Sequence, residues 1–108
     1  MNRGAVVWVD LSDASPPEMG KRRPAVVVSN TVQNHVLDTL VAVPLSSQAP
    51  EIRPLRLRVS VPALKRASFA VVPGLRQLKK SRILGQVGRV SAVDLARLDA
   101  AIRDYLSD

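Results

Sequence analysis

The chain has 108 residues, 46% of them hydrophobic and 23% charged, with no cysteine. This describes one domain spanning residues 1–108 with a modest core; it excludes a disordered chain, and also disulfides, thiolate zinc and cysteine nucleophiles. The net charge of +7 is unevenly placed: residues 1–90 carry 14 Lys or Arg against 5 Asp or Glu, whereas residues 91–108 carry 2 against 4. A basic body makes an anionic polymer or an acidic protein the leading partner class.

The first apolar run, Ala5 to Val9, ends at Asp10. It is too short for a signal peptide and far too short to cross a bilayer, so no membrane association and a cytoplasmic location are expected. Ala5–Leu11 is instead a strand. Ser12–Arg23 contains Pro16, Pro17 and Gly20 and is a loop. Ala25–Ser29 is apolar almost throughout, as in a central strand buried on both faces. Thr31–Asp38 reads as a polar connection. Thr39–Val43 is a further buried strand, ended by Pro44.

Leu55–Val61 alternates without a break, placing Leu55, Leu57, Val59 and Val61 inside and Arg56 and Arg58 on the outer face. Ser68–Val72 is a fifth strand curving through Pro73-Gly74, and Leu84–Val90 a sixth. Ser91 and Asp94 have the spacing of a capping box. After them Leu95, Leu98, Ile102 and Tyr105/Leu106 fall at helical spacing, to pack on the sheet. The expected fold is mainly β with a C-terminal helix, in a small, strongly curved barrel.

Several groups could carry chemistry. Pro24 biases Arg23 to an extended backbone at the mouth of a buried strand. There its planar guanidinium can hold phosphate oxygens or charge growing on phosphorus. By themselves Arg22 and Arg23 read better as a pair of solvated loop arginines. Ser46-Ser47-Gln48 can hydrogen-bond a phosphate or a base edge, or simply open a loop with a serine turn. His35, the one histidine, reads better as a solvated loop residue than as an acid–base group. Lys79-Lys80-Ser81-Arg82, with Arg76 before it, fits phosphate tracking and a solvated connector equally well. No metal-ligand cluster and no nucleotide-cofactor motif is present, so neither metal nor cofactor is expected.

Taken in order, Arg3-Gly4, Trp8-Val9-Asp10-Leu11, Glu18 with Gly20, Arg23-Pro24-Ala25-Val26-Val27-Val28-Ser29, Pro44-Leu45-Ser46-Ser47-Gln48, Leu75-Arg76, Lys80-Ser81-Arg82 and Gly88-Arg89-Val90-Ser91 resemble the MazF/PemK (Kid) family of toxin endoribonucleases. The resemblance runs through nearly the whole chain. It implies an SH3-like barrel, a homodimer, and metal-independent cleavage of single-stranded RNA at short motifs. The 2′-hydroxyl attacks the adjacent phosphate, leaving a 2′,3′-cyclic phosphate and a 5′-hydroxyl. It also implies an antitoxin with an acidic, disordered tail.

By the same resemblance the catalytic arginine is Arg23, and Ser46 stands where the family has a catalytic threonine. Glu18, Lys21, Arg22, Ser47, Gln48, Arg76, Lys79 and Lys80 are expected to track or read RNA. Three positions depart from the family: Glu-Gln-Gly-Gly becomes Glu18-Met19-Gly20-Lys21, the threonine is Ser46, and Asp-Gln becomes Pro73-Gly74. These bear on the sequence cut more than on the reaction. The rival readings are a toxin of the same fold that binds gyrase, as CcdB-like proteins do, and a cleavage-dead RNA-binding barrel.

Overall fold

A computed structural model describes all 108 residues. Seven strands, β1 (Ala5–Asp10), β2 (Arg22–Val27), β3 (Thr39–Ser46), β4 (Arg56–Val59), β5 (Ser68–Val71), β6 (Arg76–Lys79) and β7 (Ile83–Arg89), form one antiparallel sheet. Its order is β4-β5-β3-β2-β1-β7, and β6 also pairs with β3. Two helices, α1 (Thr31–Val36) and α2 (Ala92–Leu106), complete the chain. This is the mainly β fold with a terminal helix that the sequence predicts. The sheet curls far enough for its two ends to meet: a Cβ on Gly88 of β7 would lie 3.7 Å from Val61, just past β4.

The central strands are apolar throughout because both of their faces are covered. Val6, Val26, Val43 and Leu45 join Leu57, Val59 and Ala70 in a cluster closed by Leu98 and Ala101 of α2. The alternate residues Val7, Val9, Ala25, Val27, Leu40 and Ala42 form a second cluster with Leu78 of β6.

Several expectations are corrected. Thr31–Val36 is a helix, not a connection. Asn30 caps it, its Oδ1 accepting from Val32 N at 2.9 Å, and the buried Asn34 amide donates to the carbonyls of Met1 and Ser29. Its outward face is Val32 and Val36, both exposed, so the amphipathic pattern that marks most helices is missing.

Strand β3 runs through Pro44 to Ser46. Val41 exchanges hydrogen bonds with Ser29 and Val28 on the β2 side. By alternation Pro44 therefore turns its missing N–H to the other edge. That edge is vacant there, between Ala42, the last residue paired with β6, and Leu45, the first paired with β5. Arg76–Lys79 is a strand, although only Leu78 in it is buried.

Finally, Tyr105 and Leu106 are exposed, because the last turn of α2 runs past the sheet, and Leu55 is exposed outside β4. Ser91 Oγ does accept from Asp94 N at 3.1 Å. The Asp94 carboxylate, however, turns to Ser60 N and Arg97, so only half of the capping box forms.

Candidate active site

Arg23 lies near the start of β2, opposite Val9 of β1. The β2–β3 ladder pairs Val27 with Ala42, Val26 with Val43 and Ala25 with Pro44. Continued by two residues, the same register sets Arg23 opposite Ser46 on one face of the sheet, where cross-strand side chains are neighbours. Arg23 Nε donates to the carbonyl of Gly20 at 2.8 Å, which anchors the guanidinium while leaving both terminal nitrogens free. The loop delivers that carbonyl through Lys21, whose φ of 71° is left-handed and whose own carbonyl accepts from Leu11 N at 2.8 Å.

Ser46 Oγ accepts from Gln48 N at 3.1 Å, so the serine turn is present, and the hydroxyl hydrogen remains available to donate. Arg56 donates to the Gln48 carbonyl at 3.1 Å and holds the loop after Ser46.

Arg23, Ser46 and Ser47 form a wall shared by two open cavities. One, of about 420 Å³, is lined also by Trp8, Arg22 and the Leu64–Ser68 segment. The other, of about 450 Å³, includes Met19, Gln48 and Arg56. A smaller one of about 210 Å³ beside them contains Glu18, Met19, Gly74 and Arg76.

The structure thus brings together Arg22, Arg23, Ser46, Ser47 and Gln48, with Glu18 and Arg76 adjoining. Lys21 is exposed on the loop leading into Arg23. Lys79 pairs with Thr39 at the opposite end of β3 from Ser46, roughly 23 Å along the strand at about 3.3 Å per residue. Lys80 follows it there, its N–H on the carbonyl of Asp38. These two lysines are not part of the constellation. Neither is His35, whose Nε2 lies 3.3 Å from the N-terminal amine.

Charge pairing separates the arginines by role. Arg3, Arg53, Arg76, Arg82 and Arg97 each meet a carboxylate. Arg22, Arg23, Lys65 and Arg66 form no close ion pair; Arg22 faces Asp10 across the ladder, so Arg23, Lys65 and Arg66 are the cations of the first cavity with no facing carboxylate. Asp10, across from Arg22, is held below the ordinary carboxylate range, first by hydrogen bonds from Ser12 and then by the charges of Arg22 and Arg82. It stays ionised and serves the loop as an acceptor.

Sequence reasoning did not place Lys65, Arg66 and Trp8 beside Arg23 and Ser46, where they line the first cavity. The Lys-Arg pair in a short exposed turn was the available signal, but its position relative to Arg23 depends on how β4 and β5 fold back.

Residues 2–106 match the family described as PemK-like, MazF-like toxin of type II toxin–antitoxin system. The chain is 34% identical to the endoribonuclease MazF9 of Mycobacterium tuberculosis (strain ATCC 25618 / H37Rv), with 98% of this chain and 96% of that protein covered. A crystal structure of MazF from Deinococcus radiodurans superposes with a TM-score of 0.86 at 25% identity, over 98% of this chain and 96% of that one. A mycobacterial endoribonuclease solved in complex with its cognate antitoxin shares the fold, with a TM-score of 0.80 at 21% identity over 98% and 94% of the two chains. With the family match spanning almost the whole chain, this protein belongs to the PemK-like, MazF-like toxins of type II toxin–antitoxin systems.

Proposed function

We propose that this toxin is an endoribonuclease that cuts single-stranded RNA, with Arg23 and Ser46 as its catalytic residues. The observation that carries the reading is that Arg23 and Ser46, at the facing ends of two paired strands, both line the wall between two open cavities. The ribose 2′-hydroxyl attacks the adjacent phosphorus and the bond to the 5′-oxygen breaks, giving a 2′,3′-cyclic phosphate and a 5′-hydroxyl. Arg23, permanently charged and anchored through Nε, places two N–H groups where negative charge grows on the phosphorane oxygens. The Ser46 hydroxyl donates to a non-bridging oxygen.

Chemistry of this kind needs charge stabilisation more than a metal. The same uncompensated cations suit the carboxylates of an acidic antitoxin tail, so inhibition by occupation of the RNA groove follows from one electrostatic feature. Relatives of the fold have been solved as MazE–MazF complexes. A homodimer and a cytoplasmic site of action complete the proposal, the first testable by sedimentation.

Incubation of the purified protein with mixed RNA in EDTA should yield discrete fragments carrying cyclic-phosphate and 5′-hydroxyl ends. Intact RNA, unchanged cutting by Arg23→Ala, or inhibition of gyrase with RNA left whole would overturn the reading.

A further inference from the structure

We propose that the cavity on the Trp8 side of the sheet is a nucleotide subsite, in which a base next to the cut stacks on Trp8 while Arg22, Lys65 and Arg66 hold its phosphate. The inference rests on the ribonuclease reading and extends it to side chains that reading does not use.

The cavity, about 420 Å³, is of the size that encloses small ligands. Trp8 is half-buried, and its direct neighbours across the sheet are Pro24 of β2 and Gly85 of β7. Gly85 carries no side chain, and a Cβ built there would meet nothing within 4 Å. Gly85 therefore places no side chain over the indole. Around it stand Arg22 at the exposed start of β2, facing Asp10 across the ladder, and Lys65 and Arg66 in the exposed β4–β5 loop, neither of these two paired with a carboxylate.

An open aromatic face ringed by unpaired cations and serine hydroxyls is the arrangement that binds an unstacked base with its phosphate. An acidic peptide would engage the cations and leave the indole without a role, which favours RNA as the occupant. Because Arg23 and Ser46 line the same cavity, the bound nucleotide adjoins the reacting phosphate.

Trp8 is the only tryptophan of the chain, so its fluorescence reports on this cavity alone. The probe is a ten-nucleotide RNA carrying a cut site mapped with the wild-type enzyme and a 2′-deoxyribose at the attacking position, which binds without turnover. Saturable quenching is expected with wild type and with Trp8→Phe controls silent. In Lys65→Ala/Arg66→Ala, on an exposed loop, KM for the cleavable RNA should rise at least about fivefold, with the single-turnover rate at saturation within about twofold of wild type. Trp8→Phe, which keeps an aromatic face, should bind better than Trp8→Ala.

No quenching on binding, or a double variant with wild-type KM, overturns the subsite while the cleavage reading stands. A double variant that loses antitoxin affinity but keeps its KM for RNA assigns the cations to the protein partner and also overturns it. Failure of wild type to cut any RNA instead removes the ribonuclease reading on which the subsite rests.

Discussion

Arg23 is anchored by a neutral carbonyl rather than a carboxylate, and this distinguishes it from the arginines that hold the fold together. A carboxylate would neutralise the charge, whereas the Gly20 carbonyl fixes the guanidinium plane and leaves its field directed outward. Arg23→Ala should lower the single-turnover cleavage rate by about 10²- to 10³-fold, the range for removal of a charge-stabilising donor. Arg23→Lys should recover little, since an ammonium lacks the planar fork. Binding of a 2′-deoxy substrate should fall far less than the rate; equal losses in the two would make Arg23 a binding residue only. The neighbouring Lys21 tells a backbone story. Its left-handed φ occupies the position where the family pattern Glu-Gln-Gly-Gly has glycine. A side chain there costs about 1 kcal/mol relative to glycine. Lys21→Gly should therefore raise stability against urea by about 1 kcal/mol over Lys21→Ala, both variants having lost the same charge. Equal stabilities would show that the loop relaxes out of the left-handed region.

The placement of elements explains why two strand ends, rather than a loop, carry the proposed catalytic pair. β3 is shared by β2 on one edge and by β6 and then β5 on the other, and the switch between the latter two is the bend at Val72–Gly74. Pro44 fills that bend so closely that a Cβ on Gly74 would stand 2.7 Å from its Cγ. Gly74→Ala should thus cost about 1–3 kcal/mol in urea unfolding, as overpacking does; a neutral result would mean that the bend is not tightly packed. At the free edge of the sheet, the outward N–H of Arg58 is taken by Glu51 at 2.8 Å and that of Ser60 by Asp94 at 2.9 Å. The Arg58 hydrogen bond is the main reason Glu51 is held below the ordinary glutamate value of 4.5, opposed by partial desolvation and aided by Arg53 and Arg97. A depressed folded value means that the unfolded state takes up the proton first. The contribution is complete above about pH 4.5 and is lost as pH falls through the lower folded value. Wild type should lose melting temperature more steeply than Glu51→Gln on acidification from pH 5.5 to about 3.5, and parallel curves would refute the coupling.

These elements also show what sequence can reveal. β2, β4 and α2 were legible because an unbroken apolar run, a strict alternation and a capped 3.6-residue period each have one structural solution. α1 was not, because its stabilising contacts run through the Asn30 cap and the buried Asn34, not through an apolar face. β6 was not, because only Leu78 marks it; pairing with the half of β3 that β5 leaves vacant makes it a strand. Arg23 and Ser46 were each visible by resemblance. Their mutual position is a matter of register, and the Lys65-Arg66 turn joins them only through the folding of β4 onto β5.

At the scale of the whole molecule, the excess positive charge divides into a compensated and an uncompensated part. Asp13 meets both Arg76 and Arg82, Glu51 meets Arg53 and Arg97, and Asp99 holds Arg3 in a two-point ion pair. The cations near Arg23 and Ser46 that form no close ion pair are Arg22, Arg23, Arg56, Lys65 and Arg66, whereas Lys79 and Lys80 lie at the far end of β3. If single-stranded RNA crosses the shared wall, about five phosphate contacts should give a slope of log affinity against log salt of roughly −3.5. Lys65→Ala/Arg66→Ala should flatten that slope by about 1.4. Lys79→Ala/Lys80→Ala should leave it unchanged, although it removes the same formal charge. Net charge alone would make the two double variants equivalent, so their difference separates a localised RNA path from a diffuse basic surface. Equal flattening by both would instead run the RNA along β3 and β6 and restore Lys79 and Lys80 to the binding surface.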